Sequence, residues 1–251
     1  MSAPDSRERF SSQAALYARY RPSYPPELYH WILATAGVGP GASALDLACG
    51  TGLSTRPLAE LGLEVVGIDP NEKMLAEAVA EGGARYARGE STATGLPDQS
   101  VDLVTVAQAF HWLDIPATLR EIHRVLRPGR SAVAYWNIRD LSPGFMSEYD
   151  DSLRRFSREY AIIDKPIETS EQIRRAEGVR DVREAEFGYR QDFDLEGFLG
   201  RVYSSSYVVH GVKDHEPFRR ELRATFERHA RAGRIEFRYR TIALAWRLGF
   251  S

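Results

Sequence analysis

Residues 45–52, Leu-Asp-Leu-Ala-Cys-Gly-Thr-Gly, constrain the fold more than any other stretch of the chain. An apolar run ends in a Gly-x-Gly turn, and a helical segment opens through Leu53-Ser54-Thr55-Arg56. Gly50 and Gly52 let the backbone take conformations that a Cβ forbids, and let a ligand approach the main chain closely. The first N–H groups of the new helix lack intrahelical partners and face whatever sits before them. Asp46, near the strand's end, is an acceptor for a cationic or hydroxylated ligand. The same strand-turn-helix also serves as a plain tight connection, so the rest of the chain has to decide its use.

Beyond the turn, strands and helices alternate regularly. The pattern predicts strands over 44–48, 64–69, 84–88, 101–106 and 131–136. Between them it predicts helices over 54–61, 72–81 and 115–126, the last closed by Arg127-Pro128-Gly129. Strands alternating with helices imply right-handed crossovers and a parallel sheet covered on both faces. Ligands of such sheets bind beyond the C-terminal strand ends. Before this core, residues 10–20 read as a helix, Pro22, Pro25 and Pro26 hold an extended turn, and 27–36 read as a second helix. After it the pattern weakens. Residues 142–160, 195–206 and 216–232 read as helices, 165–169 as a loop, and 183–193 and 234–248 as two late strands that complete the sheet.

Bulk properties exclude several classes. The 251 residues carry a formal charge of −2, which gives no general attraction for a polyanion. The single cysteine, Cys49, rules out an intramolecular disulfide and suits a reducing compartment. The polar first residues do not read as a signal peptide, and no apolar run has bilayer length. The expectation is a cytoplasmic single-domain protein, monomer or homodimer, with neither nucleic acid nor membrane as partner.

Asp69 ends the second predicted strand about 20 residues beyond the glycine turn, where nucleotide-binding α/β domains place the acid that takes ribose hydroxyls. The alternative is a helix N-cap formed by Asp69-Pro70-Asn71. Thr55 stands where a dinucleotide fingerprint has its third glycine. That departure argues against NAD or FAD, whose pyrophosphate needs the closest helix approach. A nucleoside ligand without phosphates is easier to accommodate.

The stretch 45–52 resembles the first motif of class I S-adenosylmethionine (AdoMet)-dependent methyltransferases. Residues 65–75, Val-Val-Gly-Ile-Asp-Pro-Asn-Glu-Lys-Met-Leu, resemble the second. Gly89-Glu90-Ser91 through Leu96-Pro97 is similar to the adenine-side loop, and residues 125–130 resemble the turn before the fifth strand. Together the motifs cover about residues 40–137. The aromatic and proline pattern of 17–25, with Phe110-His111-Trp112, resembles the methyltransferase type 11 branch that includes trans-aconitate methyltransferase-like small-molecule enzymes.

The resemblance implies a Rossmann-like three-layer sandwich. Its seven-stranded, mostly parallel sheet has the last strand inserted antiparallel. An N-terminal helical lid (1–36), an AdoMet-binding core (40–137) and substrate-covering helices with the final strands (138–251) would divide the chain. AdoMet would be the cofactor and S-adenosylhomocysteine (AdoHcy) the product, with a small molecule as acceptor; the alternatives are methylation of RNA or protein, or a non-catalytic AdoMet binder on the same fold. Asp46, Ala48, Gly50 and Gly52 would hold the methionine end, Asp69 the ribose, and Glu90 and Ser91 the adenine, with Pro70 and Met74 against the base. Tyr17, Arg21, Gln108, His111 and Trp112 would form the methyl-transfer side. Within it, His111, Gln108 and Arg21 are the catalytic candidates, and Tyr17 and Gln108 also touch the cofactor. Tyr20, Tyr24, His111, Trp112 and Trp136 would line the acceptor pocket. His111 is either a general base for a hydroxyl or amine or a wall of the cleft. A carboxylate acceptor, already ionised, needs no base. The tyrosines and Trp136 have packing as their alternative role. Cys49 reads as packing. His123, His210 and His215 lack metal-ligand spacing, so no metal is expected. The basic runs at 127–130 and 216–232 read as solvated faces.

Overall fold

A computed structural model describes residues 18–160 and 166–249. Helix α1, Pro26–Ala36, starts with proline at its first position, where the missing N–H is not needed, and ends on Gly37 in a left-handed conformation. Strand β1, Ser43–Leu47, leads through the glycine turn into α2, Thr55–Glu60. Then come β2, Glu64–Asp69; α3, Glu72–Glu81; β3, Arg85–Arg88; and β4, Val101–Ala107. The cap of α3 is Asn71, whose side chain accepts from the N–H groups of Lys73 and Met74 at 3.0 and 3.2 Å. A 3₁₀ turn, Phe110–Trp112, precedes α4, Ile115–Val125. Strand β5, Leu126–Arg139, and α5, Phe145–Phe156, follow.

The C-terminal half contains α6, Pro166–Arg175; β6, Val179–Phe193; α7, Leu195–Tyr203; α8, Ser206–Val209; α9, His215–His229; and β7, Ile235–Leu248. The sheet order is β3-β2-β1-β4-β5-β7-β6. The first five strands are parallel, and β7 is inserted antiparallel between β5 and β6.

Side-chain alternation sets the two faces. Leu45, Val104, Trp136 and Trp246 join Leu119 and Ile122 of α4 in one apolar cluster. Ala44, Leu103, Val133 and Tyr135, one residue out of phase, join Tyr24, Leu28 and Ile32 in another. A third cluster, including Phe145, Tyr149, Phe198, Phe218 and Phe237, packs α5, α7 and α9 over the early part of β7.

Three local expectations change. Residues 165–169 read as a loop in the sequence, but α6 begins at Pro166. Proline breaks a helix interior yet suits its first turn, and buried Ile173 anchors this helix to the main core. Pro128-Gly129 does not separate α4 from the next strand. Strand β5 starts directly at Leu126, and the pair forms a bulge where the register jumps from Val101–Leu126 to Leu103–Ser131. Strand β6 begins at Val179, four residues before the alternation becomes regular. The helix expected over 10–20 lies outside the described residues except for Ala18–Tyr20, which are helical.

Candidate functional site

A cavity of about 410 Å³ opens at the C-terminal ends of β1, β2 and β4 and extends to α7. Its size falls in the range of small-molecule and cofactor sites. Beside β1 and β2 its wall is formed by Ala48, Gly50, Asp69, Pro70 and Met74, and Glu90 and Ser91 continue it beyond β3. Gln108 and Trp112 border it after β4, and Arg21 and Tyr24 close it from the N-terminal side.

Two strand ends bend sharply here. Ala48 (φ 57°) and Gln108 (φ 55°) both take the left-handed conformation that side chains rarely adopt. Gly50 follows at φ 57°, and a Cβ on it would press on Met74 Cε at 3.2 Å. The main chain of this turn therefore comes close to the cavity with no side chain in between.

Asp69 secures the turn while lining the cavity. Its Oδ2 accepts from the Gly50 N–H at 2.9 Å and its Oδ1 from the Asn71 N–H at 2.8 Å. A carboxylate can accept more donors than these two. Burial pushes its carboxyl above the usual range, while the Asn71 and Gly50 N–H groups pull it back; Asp46 and Glu90 add to the rise. Such a group gains from a ligand that brings hydroxyl donors or positive charge.

Asp46 does not meet the cavity. It is fully buried, with Oδ2 accepting from Ser54 and Thr55 hydroxyls, each at 2.6 Å, and Oδ1 from Thr105 at 2.9 Å. Its role is to hold α2 against β1 and β4, and direct ligand contact gives way to this support. Thr55 explains its own presence: a glycine there would give Asp46 no hydroxyl. Gly52 also stays off the wall, because a Cβ there would collide with the Tyr86 hydroxyl.

Other predicted residues divide similarly. Trp136 is a fully buried member of the sheet core, not a cavity wall. Tyr20 packs on Gly200 of α7, away from the lining. His111 is not on the cavity wall; its ring lies against that of Trp112, with centroids 5.0 Å apart. Tyr24 fills both roles, lining the cavity and packing edge-on to Tyr135 at 4.8 Å. Tyr17 lies outside the described residues. Cys49 is a buried free thiol pushed well up by burial and by the nearby Asp46 and Asp69 carboxylates, which suits packing and not nucleophilic attack.

The family described as "Methyltransferase domain" matches residues 45–134. An uncharacterized methyltransferase of Mycobacterium tuberculosis is 41% identical over 155 residues, 61% of this chain and 62% of that protein. The chain spans about 62% of the length of the curated mycobacterial relatives. The malonyl-[acyl-carrier protein] O-methyltransferase of Pectobacterium atrosepticum is 32% identical over 126 residues, 49% of this chain and 48% of that one. A candidate type II methyltransferase of Anaeromyxobacter dehalogenans superimposes with a TM-score of 0.67 at 26% identity, over 90% of this chain and 97% of that chain. Residues 45–134 match the methyltransferase-domain family, and the chain shares its fold with that solved structure.

Two features of this site are not legible in the motifs. Asn137 of β5 is a junction. Its N–H donates to Gln108 Oε1 at 2.8 Å, its Nδ2 to the Ser23 carbonyl at 2.8 Å, and its Oδ1 accepts from Thr241 at 2.6 Å. The side chain thus ties the segment before α1 to β5 and β7, and the backbone N–H of the same residue holds the end of β4 through Gln108. Arg201 of α7 also lines the cavity, 2% exposed. The reading of 195–206 as a helix places it on α7 without showing which face is buried. Among the described residues, no helix is long and apolar enough to cross a membrane.

Proposed function

We propose that the chain transfers a methyl group from AdoMet to a small-molecule acceptor. The observation that carries this reading is the cavity wall formed by the Gly50 turn and Asp69, open main chain on one side and a buried carboxylate with spare acceptor capacity on the other. The donor set fits an uncharged ribose and a cationic sulfonium better than a pyrophosphate. Asp69 would take the ribose hydroxyls, and Glu90 with Ser91 the adenine. Pro70 and Met74 would pack the base, and the main chain at Ala48 and Gly50 would meet the methionine end. When bound, the sulfonium supplies a methyl carbon open to in-line displacement, with a neutral thioether as the leaving group.

The chain's own residues then have two tasks, alignment and exclusion of water. Arg21 and Tyr24 cover the cavity from one side, and Trp112 supplies an apolar wall beside β4. Gln108 is held by Asn137 and keeps the β4 end fixed. Enclosure by the 21–24 segment favours a small acceptor over a polymer. The name of the Pectobacterium relative, an O-methyltransferase, agrees with an acceptor oxygen, either carboxylate or hydroxyl. A cytoplasmic location is part of the same reading, supported by the lone buried thiol.

Calorimetry with AdoMet, AdoHcy and NAD tests the donor. AdoMet and AdoHcy should bind and NAD should not; binding of NAD alone would sink the proposal. Formation of AdoHcy with a panel of carboxylic, phenolic and keto-acid acceptors then tests transfer.

A further inference from the structure

Arg201 is a cavity residue that the donor reading does not use. Its guanidinium lies 5.4 and 5.8 Å from the ring centroids of Phe237 and Tyr239. Nε donates to the Tyr239 hydroxyl at 2.8 Å and Nη1 to the Ser205 hydroxyl at 3.0 Å. Both acceptors are neutral. Among the described residues Arg201 forms no ion pair, and Nη2 makes no hydrogen bond. A guanidinium carries five N–H donors in one plane, so part of the fork stays open on the cavity side. A buried cation without a counter-charge is costly, and its natural complement is a ligand anion.

The surroundings reinforce the charge. Arg21 lines the same cavity. Arg139 donates to Tyr207 and Tyr160 at 2.7 and 2.8 Å, and Tyr160 donates onward to Asp150, which also accepts from Arg154. Asp150 thus answers Arg139 and Arg154, and leaves Arg201 unmatched. Burial opposes ionisation of the Tyr207 phenol, yet Arg139, Arg201 and Arg21 together bring it below its usual range. The cavity is therefore polarised, with Asp69 and Glu90 at the β2 and β3 end and Arg201 and Arg21 at the α7 end.

We infer that the acceptor is anchored by an oxyanion, carboxylate or phosphate, held by the open fork of Arg201 with Arg21 adding to the field. The methylated atom is a different group of the same molecule. A forked guanidinium pair withdraws the oxyanion's lone pairs from attack, so anchor and nucleophile are separate. This inference rests on the reading that AdoMet occupies the acidic end.

The test uses the full chain saturated with AdoHcy and titrated calorimetrically with glutarate, propane-1,2,3-tricarboxylate, inorganic phosphate and neutral glutaramide. At least one anion should bind at up to ~10 mM, and glutaramide about tenfold or more weaker than glutarate. Arg201→Gln should weaken the anion about tenfold or more while AdoHcy affinity stays within about threefold, and Arg201→Lys should recover part of the loss. No anion binding, or equal binding of glutarate and glutaramide, overturns the anchor. So does an equal loss of AdoHcy and anion in a folded Arg201→Gln, which would give the guanidinium to the donor's own carboxylate. Conversion of glutarate to its dimethyl ester with AdoMet, which needs attack by a carboxylate when no second one is left to anchor, overturns the separation of anchor and nucleophile, whereas the monomethyl ester supports it. Wild-type protein that binds the anions but not AdoHcy overturns the donor reading and leaves the anchor standing. The comparison of acid and amide on wild type keeps the test decisive if the Arg201 variants misfold.

Discussion

The Gly50 N–H donates to Asp69 Oδ2 at 2.9 Å, so the turn after β1 is clasped to the end of β2. One carboxylate shapes the main chain of the cavity wall and also forms part of it. Asp69→Ala should weaken AdoHcy binding roughly tenfold to a hundredfold, the worth of one or two hydrogen bonds to a charged group. Asp69→Asn, which keeps one carbonyl acceptor for the turn, should lose less. Calorimetry on both variants checks the order, and equal affinities for wild type and Asp69→Ala would remove Asp69 from the site.

Thr55 replaces a glycine of the dinucleotide fingerprint because Asp46 needs its hydroxyl. Thr55→Gly should cost about 2 kcal/mol of folding stability, through the lost hydrogen bond and the flexibility of glycine at a helix start. It should not create NAD binding, since the pyrophosphate still meets Asp69 and Glu90. Denaturant unfolding gives the first quantity and calorimetry the second.

Glu121 of α4 makes stability depend on acid pH. It accepts from Arg124 Nε at 2.8 Å, from Thr94 N–H at 2.7 Å and from the Thr94 hydroxyl at 2.6 Å, and so pins the loop that carries Glu90 and Ser91. Arg124 foremost, with Thr94, holds its carboxyl down from 4.5 to about 2 against the effect of burial. The folded pKa lies below the unfolded one, so the contribution is full above about 4.5 and fades as pH falls towards 2. Glu121→Gln should cost at most about 3 kcal/mol at pH 7, and the gap to wild type should close across that acid window. A gap that stays constant down to pH 2 would contradict the assignment.

His111 lies off the cavity wall, beside Trp112. His111→Ala should therefore keep turnover within about threefold of wild type, where loss of a general base costs ~10²-fold or more. The pH profile of kcat/KM should show no limb in the histidine range that disappears in the variant. A limb that does disappear would restore the imidazole as base.

The half of the cavity proposed for the donor is legible because its information is local. A strand, a glycine turn and an acid on the next strand occupy neighbouring residues, and the parallel crossover fixes where they meet. Asp46 shows the limit of that logic. Its position is plain, but its hydroxyl partner Thr105 comes from β4, 59 residues away, and that contact takes it out of ligand reach. The acceptor half depends on such contacts throughout. Arg201 sits in an arginine-rich half of the chain, and only the packing of α7 on Phe237 and Tyr239 of β7 distinguishes it from solvated arginines. Asn137 is an ordinary strand residue until Ser23, Gln108 and Thr241 converge on it. Pro166 shows a different ambiguity, since one residue type can both break and start a helix.

The insertion of β7 between β5 and β6 has a consequence for the order in which the molecule can be completed. Everything the proposed donor wall needs is present once β5 has been synthesised. The opposite wall is not, because Arg201 leans on Tyr239 of a strand made later. Until residues 235–248 arrive, β5 has nothing to pair with on its outer side and stays an open edge, ready to template other chains. A nascent or truncated chain would therefore be competent for donor binding before acceptor binding, and prone to stick to its neighbours in the interval.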